Sequence, residues 1–410
     1  MSITKCGLLG EHLGHSFSPQ IHQRLADYDY RLFEMPENEI EPFLRSDRFD
    51  AINVTIPYKE KVMPFLSEIS DEARRIGSVN TITRLEGGGL RGDNTDYFGF
   101  SYMVKKSGVS IEGKKVLILG SGGSSKTART VCADLGASEI RIISRSGDDN
   151  YQNLHNHRDA SVIINTTPVG MYPRNGEAPI TLSDFPAVEG VLDIIYNPAR
   201  TQLLLDAKKL GIPYINGLCM LVAQAKRARD IFLGTETDDS EIDQITASIA
   251  AETGNVILVG MPGCGKSTVG ALIAERLGRR LIDTDTMIEK KAGMTIPEIF
   301  ERFGEEHFRK IESECVSEAG RLNGTVIATG GGVVTKSVNY EPLHQNGKIF
   351  FINRKIDDLP TDGRPLSQAH RPKELYEKRL PLYKQFCDAE VNNDRPAIQT
   401  ACEIIKLYNR

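Results

Sequence analysis

Gly260-Met-Pro-Gly-Cys-Gly-Lys-Ser267 decides the fold of the second half of the chain. The stretch matches G-x-x-x-x-G-K-[ST] in the setting that gives this pattern its meaning. Residues 255–259 form a short apolar run, the pattern of a buried strand, and 268–278 carry Val269, Leu272, Ile273 and Leu277 at helical spacing. Glycines let successive backbone N–H groups turn inward around phosphate oxygens at the positive end of the helix. Gly263, Gly265, Lys266, Ser267 and Thr268 are therefore candidate nucleotide contacts. Lys266 would reach the outer phosphates, and the Ser267 hydroxyl can ligate Mg²⁺. Beyond about residue 254 a nucleotide-phosphate domain of α/β class is expected.

At 410 residues, two to three compact units are expected. A net charge of −5 and the lack of a basic arm argue against nucleic acid as a partner. No run approaches the length of a membrane span, and no charged flank followed by an apolar stretch opens the chain. The expectation is a cytoplasmic protein acting on small molecules. Seven scattered cysteines, without CxxC or paired spacing, suit a reducing compartment better than a disulfide framework or a zinc site.

At the N-terminal end, 3–9 reads as a first strand. Ser18 before Pro19 reads as a helix N-cap with proline at N1 and a helix over 19–28. Two hydroxyls at a helix start, Ser16 and Ser18, equally suit a carboxylate. His12, His15 and His22 have no carboxylate or thiol partner at ligand spacing, so no metal is assigned to them. Residues 51–56 read as a strand, with Pro57 keeping Ile56 extended, and a helix is expected over 58–66. That would place Lys59 in a first helical turn, where the dipole disfavours a cation. The chemical gain would be a lysine of lowered pKa, able to exchange protons near neutrality. The alternative is that Lys59 and Lys61 are plain surface charges. Asp96 precedes a helical segment, 97–106, either as its N-cap or as a lysine's partner in proton transfer.

Four pieces stand here in order: HSxSPxIH (15–22), INVTIPYKE (52–60), GSVNTI (77–82) and GDNTDYFG (92–99). Together they resemble the substrate lobe of shikimate dehydrogenases. The resemblance implies that Ser16, Ser18, Thr55 and Asn80 hold shikimate and that Lys59 and Asp96 form the catalytic pair.

Residues 115–119 read as a strand leading into Gly120-Ser-Gly-Gly-Ser-Ser125 and a helix to about 135. This fits a dinucleotide turn through Gly120, Gly122 and Gly123, with Ser125 in place of the third glycine. The next strand, 139–143, ends at Ser144-Arg145-Ser146. An acidic residue there would favour NAD, whereas Arg145 suits a 2′-phosphate and argues for NADP(H). The following 147–158 is too short and polar for a full crossover helix. The family resemblance also carries over Gly217 and Gln224 as cofactor and substrate contacts; a turn glycine and a helix surface are their plain readings. A last amphipathic helix over 240–252 and a linker at 253–254 complete the expected division. Its first domain is 1–252, with a substrate lobe of about 1–100 plus 217–252 and an NADP-binding lobe of about 101–216. Its second is 255–410.

In that second domain, 280–282 reads as a strand ending in Asp283-Thr-Asp285, carboxylates that can face Mg²⁺ and the phosphoryl acceptor. Thr286-Met-Ile-Glu289 reads as a capping box. Arg309 could simply pair with Glu305 or Glu312 on a helix face. Strand 325–328 leads to Gly330-Gly-Gly332, which admits a ligand close to the backbone or merely makes a loop. GMPGCGKST, DTD, GEEHFRKIE, GGG, GRPL and RLPLY together resemble shikimate kinase over nearly all of 255–410. The resemblance implies that Arg309, Arg379 and Gly331 hold shikimate and that Asp285 accepts the acceptor hydroxyl's proton. It also implies that Ser267 and Asp283 serve Mg²⁺, that Arg364 approaches the ATP phosphates from a mobile lid, and that Arg395 lies near adenine. The helix usual before the lid looks truncated, since only eleven residues separate strand 348–352 from Arg364. Cys264 is either a small filler or an acidified thiol at a helix N-terminus.

The two resemblances imply an α/β chain: a two-lobed dehydrogenase with a Rossmann-like NADP domain, then a P-loop kinase with a parallel sheet and a mobile lid. The expected function is reduction of 3-dehydroshikimate with NADPH, followed by ATP-dependent phosphorylation of shikimate. Two other readings compete, a quinate-preferring dehydrogenase and a non-catalytic shikimate sensor. A sensor should have lost chemical residues, yet Lys59, Asp96, Lys266 and Asp285 all stand at matching positions.

Overall fold

The computed structural model describes residues 4–14, 17–356 and 372–409. Ser16, Arg364 and the expected lid up to residue 371 lie outside the described residues. The chain forms two compact units. The first comprises Met1–Val169, Ala178–Tyr196 and Asp206–Ser248; the second comprises Gly170–Glu177, Asn197–Leu205 and Ile249–Arg410. This division departs from the one read in the sequence. The end of the helix over 240–253 belongs to the second unit because its carbonyls are used there: Ala251 O and Gly254 O accept from Arg279 and from the Tyr408 hydroxyl. The excursion at 197–205 is held by Arg200, whose guanidinium donates to the carbonyls of His344 (2.7 Å) and Gly347 (2.6 Å).

The first unit contains two sheets. One has six strands: β1 (Lys5–Gly10), β2 (Asp29–Glu34), β3 (Ala51–Val54), β4 (Glu68–Ile69), β5 (Thr81–Arg84) and β6 (Leu90–Asp93), in the order β2-β1-β3-β5-β6-β4. The helices α1 (Ser18–Leu25), α2 (Ile40–Arg45), α3 (Asp71–Ile76) and α4 (Asp96–Ser107) lie along this part of the chain. β1 pairs in parallel with β2 and β3, so the turns that follow β1 and β3 leave from one edge of the sheet. The second sheet is wholly parallel: β7 (Lys115–Leu119), β8 (Glu139–Ile143), β9 (Val162–Asn165), β10 (Gly190–Asp193) and β11 (Tyr214–Asn216), in the order β11-β10-β9-β7-β8. Strands buried on both faces need continuous apolar sequence, which VLIL in β7 and VIIN in β9 supply. Four more helices follow in sequence: α5 (Gly123–Asp134), α6 (Gln202–Leu210), α7 (Leu218–Leu233) and α8 (Ser240–Thr253).

The second unit is built on a parallel sheet of β12 (Asn255–Val259), β13 (Leu281–Asp283), β14 (Val326–Ala328), β15 (Gly347–Asn353) and β16 (Ala389–Asn392), ordered β13-β14-β12-β15-β16. Its helices are α9 (Lys266–Leu277), α10 (Thr284–Ala292), α11 (Ile296–Gly320), α12 (Tyr340–Asn346), α13 (Pro372–Phe386) and α14 (Ala397–Tyr408). β12 lies between β14 and β15, so the loop after it opens at the sheet's centre, where parallel sheets bind ligands. Among the described residues no helix is long and apolar enough to cross a membrane.

Several local expectations are corrected. No helix begins at Tyr58: 56–62 is a run of turns followed by one 3₁₀ turn at Met63–Phe65. Tyr58 is wholly buried and donates to Met35 O, and Val79 N donates to Lys59 O, so tertiary bonds hold this backbone. The dipole argument for Lys59 falls with that helix. Ser18 is the first residue of α1, capped at Phe17, and not itself the cap. Likewise Thr95 occupies the N-cap of α4, and Asp96 its first turn. The capping box expected at Thr286 and Glu289 does not form, because Asp283 caps α10 by accepting from Asp285 N at 3.0 Å. A capping box forms instead at Thr295 and Glu298.

Candidate active sites

In the first unit, chemistry gathers where β1, β3 and β6 end. Thr55 follows β3, its N–H bonded to Leu9 O in β1. Ser18 is buried at the start of α1. Lys59 is pinned by its backbone in the turn after β3, and Asp96 opens α4 after β6. The structure brings these two together: Lys59 Nζ lies 2.5 Å from Asp96 Oδ2, both largely buried. A helix N-terminus stabilises the Asp96 carboxylate, and the carboxylate in turn holds the ammonium. Asn80 forms a second cluster. Its Oδ1 accepts from Thr95 N at 2.7 Å, and its Nδ2 lies within bonding distance of Thr95 Oγ1 (3.1 Å) and Gln224 Oε1 (3.4 Å). The sequence reading quoted Thr95 in its motif but gave it no role, although the side chain joins Asn80 to Gln224. His22 has no ligand role: it is buried, bonded to the Tyr28 hydroxyl at 2.6 Å and stacked on Tyr30. Desolvation drops its pKa to about 3.

Beyond β7, Gly120 has a φ of +104°, the left-handed conformation that favours glycine. Gly122 caps α5, and a side chain at Gly122 or Gly123 would meet no protein atom within 4 Å. That vacant approach to a helix N-terminus fits a pyrophosphate. Ser125 is buried in the place of the third glycine, where a small side chain suffices for close helix–strand packing. Gly217 is required sterically, since a Cβ there would stand 1.9 Å from Ile194 O.

Ser144, Arg145 and Ser146 follow β8, with Arg145 exposed and in no ion pair among the described residues. No crossover helix follows; one 3₁₀ turn, Leu154–His157, takes its place. The loop is held instead by side chains: His157 Nε2 contacts Asp149 Oδ1 at 2.9 Å, Asn153 donates to Asp148 O, and Asp149 O accepts from Ser144 N. The hydrogen bond from His157 holds the Asp149 carboxyl below its usual pKa.

In the second unit a cleft of about 680 Å³ runs over the phosphate loop. Gly263 and Gly265 take φ of +82° and +100°. Lys266 is buried, its ammonium donating to Gly260 O and Met261 O at 2.9 Å. Ser267 and Thr268 are exposed to the cleft, and Ser267 Oγ donates to Asp283 Oδ2 at 2.8 Å. Oxygens so placed suit a hard cation carried by a nucleotide. Asp285 also lines the cleft, and burial, reinforced by the charge of Asp283, raises its pKa to about 6.

Opposite stand Arg309 and Arg379, both buried. Arg309 donates to Glu312 (2.8 Å) and Glu305 (3.1 Å), so both expected helix-face pairs form while the guanidinium still lines the cleft. Arg379 and Tyr383 both donate to Gly331 O, at 3.1 and 2.5 Å. Gly331 is required sterically, since a Cβ there would fall 2.5 Å from Pro262 Cδ, whereas a Cβ at Gly330 or Gly332 would displace the Asp285 carboxylate (2.7 Å) or the Arg309 guanidinium (2.1 Å) that line the cleft. Arg395 stands apart: it is exposed, paired with Glu403 and not part of the cleft lining. Cys264 is wholly buried in the apolar core, as a filler would be. Glu312 was read in the sequence only as a partner of Arg309, and Tyr383, quoted within RLPLY, was given no role, since each looks like an ordinary helix residue.

A family model for the shikimate dehydrogenase substrate binding domain matches residues 8–82, and one for shikimate kinase matches 262–409. The NADP(+) shikimate dehydrogenase of Clostridium perfringens (strain SM101) is 38% identical over 260 residues, covering 58% of this chain and 96% of that protein. That of Syntrophomonas wolfei is 36% identical, covering 56% and 89%. Among solved structures, a chorismate mutase/shikimate 5-dehydrogenase fusion protein from Clostridium acetobutylicum is 35% identical, with a TM-score of 0.58 over 60% of this chain and 97% of that one. A Thermus thermophilus shikimate 5-dehydrogenase in complex with NADP(H) and shikimate is 28% identical, with a TM-score of 0.55 over 60% and 99%. The chain belongs to the shikimate dehydrogenase family and continues into a shikimate kinase domain, making it a bifunctional enzyme of the shikimate pathway.

Proposed function

We propose that the first unit reduces 3-dehydroshikimate to shikimate with NADPH and that the second phosphorylates the shikimate 3-hydroxyl with ATP. When bound, NADPH supplies the hydride, and ATP with Mg²⁺ supplies the phosphoryl group. The observation that carries the reading is the pairing of two complete chemical sets in one chain: Lys59 with Asp96, and Lys266, Ser267 and Asp283 with Asp285.

At the first site Lys59 donates a proton to the carbonyl oxygen as hydride reaches its carbon, and Asp96 holds the ammonium in place. Ser18, Thr55, Asn80 and Gln224, with Ser16, bind the substrate's carboxylate and hydroxyls. Gly120, Gly122, Gly123 and Gly217 admit the dinucleotide, and Ser144, Arg145 and Ser146 take its 2′-phosphate. At the second site Arg309 and Arg379, beside Gly331, grip the carboxylate of shikimate. Asp285 accepts the proton of the attacking hydroxyl. Lys266 and the backbone of Gly263, Gly265 and Thr268 stabilise phosphate charge, and Ser267 and Asp283 would hold Mg²⁺. Arg364 completes the clamp, and the role of Arg395 near adenine rests on the family resemblance alone, its side chain being paired with Glu403.

Mass analysis of products from 3-dehydroshikimate, NADPH, ATP and MgCl₂ tests this. A product heavier by two hydrogens and one phosphoryl group is expected. Failure to form either the reduced or the phosphorylated species overturns the corresponding half.

A further inference from the structure

Arg354 follows β15, which pairs directly with the strand leading into the phosphate loop. The register sets Val259 against Phe351, and a Cβ at Gly260 would meet Ile352 O at 2.4 Å. Arg354 is therefore level with the first residues of the loop. The backbone around it is fixed: Asn353 O accepts from Asn393 N at 2.7 Å, Asn393 Nδ2 donates to Cys264 O within the loop, and Lys355 N donates to Asp394.

Four cations line the cleft: Lys266, Arg309, Arg354 and Arg379. Arg309 is engaged by two glutamates, and Arg379 bonds Gly331 O on the acceptor side. Arg354 has no ion pair among the described residues, and its Nε is buried without any hydrogen-bond partner. A solvated surface arginine would keep that nitrogen in water; burying a guanidinium N–H unpaired costs free energy unless a ligand completes it. Arg354 also borders an adjoining recess of about 470 Å³ that Tyr376, Asn392 and Asp394 help to line, so it lies between the phosphate cleft and that recess. A polyphosphate in the cleft carries several negative charges, and among the described residues Lys266 is the one other cation on the loop side.

We infer that Arg354 is a nucleotide-binding residue that donates to the phosphate chain of ADP and ATP from the side of β15. The inference rests on the kinase reading of the second unit. Calorimetric titration of the full chain with Mg·ADP, with the non-hydrolysable Mg·ATP analogue AMP-PNP and with adenosine tests it. Charge-assisted hydrogen bonds contribute enough to predict a loss of about tenfold to hundredfold in ADP and AMP-PNP affinity for Arg354→Ala. Adenosine and shikimate affinities should not change. Arg354→Lys, which keeps the charge but not the fork, should recover part of the loss. ADP affinity within about twofold of wild type in Arg354→Ala overturns the inference, as does an equal loss for adenosine, which would place the side chain on the base. Wild type that binds no ADP would instead overturn the kinase reading, a separable result.

Discussion

Asp285 sits in the cleft with Asp283 close enough to add its charge to the cost of burial, which is why its pKa rises to about 6. A proton acceptor must be ionised, so kinase kcat/KM should fall about tenfold per pH unit below about pH 6, read from initial rates with saturating ATP. Stability moves the other way. The folded carboxyl binds its proton more tightly than the unfolded one, so its stabilising contribution is complete below about pH 4 and is lost as pH rises through about 6. Asp285→Asn should therefore be the more stable protein near pH 7, by about 1–3 kcal/mol, with the advantage gone at pH 4. Melting curves at both pH values check this. For the reductase, Asp96→Asn removes the carboxylate that holds Lys59 and should lower kcat by about 10²–10⁴, with little change in shikimate affinity. Arg395→Ala should leave ADP affinity within about twofold, because that side chain is engaged with Glu403.

Among the elements, those governed by local rules were legible and those governed by distant partners were not. The strand, loop and helix from Asn255 to Leu277 follow from glycine spacing and an apolar run, and they form as expected. The helix expected at Tyr58 does not form, because Val79 N, far along the chain, takes Lys59 O, an acceptor the helix would have used, while the buried Tyr58 side chain is tied through its hydroxyl to Met35 O. The capping box at Thr286 and Glu289 fails for a similar reason: Asp283 reaches Asp285 N first, and Glu289 accepts from Ile296 N. The missing crossover helix at 147–158 was legible from its polar composition, but the His157–Asp149 contact that replaces it was not, since eight residues separate the two. This loop carries Ser144 and Arg145, so loosening it should weaken cofactor binding specifically. Asp149→Asn should raise the KM for NADPH about tenfold and leave that for 3-dehydroshikimate unchanged, measured by steady-state kinetics in each substrate.

At the scale of the whole molecule, the family of each half was readable because its motifs concentrate near strand ends, where chemistry constrains sequence. The exact division of the chain was not, since the carbonyls of Ala251 and Gly254 and the guanidinium of Arg200 find their partners only in three dimensions. The fold brings Lys59 to Asp96 in the first unit and sets Lys266, Ser267, Asp283 and Asp285 along one cleft in the second. Each group of residues should carry its own reaction independently of the other. To test this, NADPH oxidation and ADP release are followed separately in wild type, Lys59→Ala and Lys266→Ala, with 3-dehydroshikimate, shikimate, NADPH, ATP and Mg²⁺ all supplied. Lys59→Ala should stop NADPH oxidation while ADP release continues, and Lys266→Ala should do the reverse. Loss of both signals from either substitution, or their absence from the wild type, would contradict it.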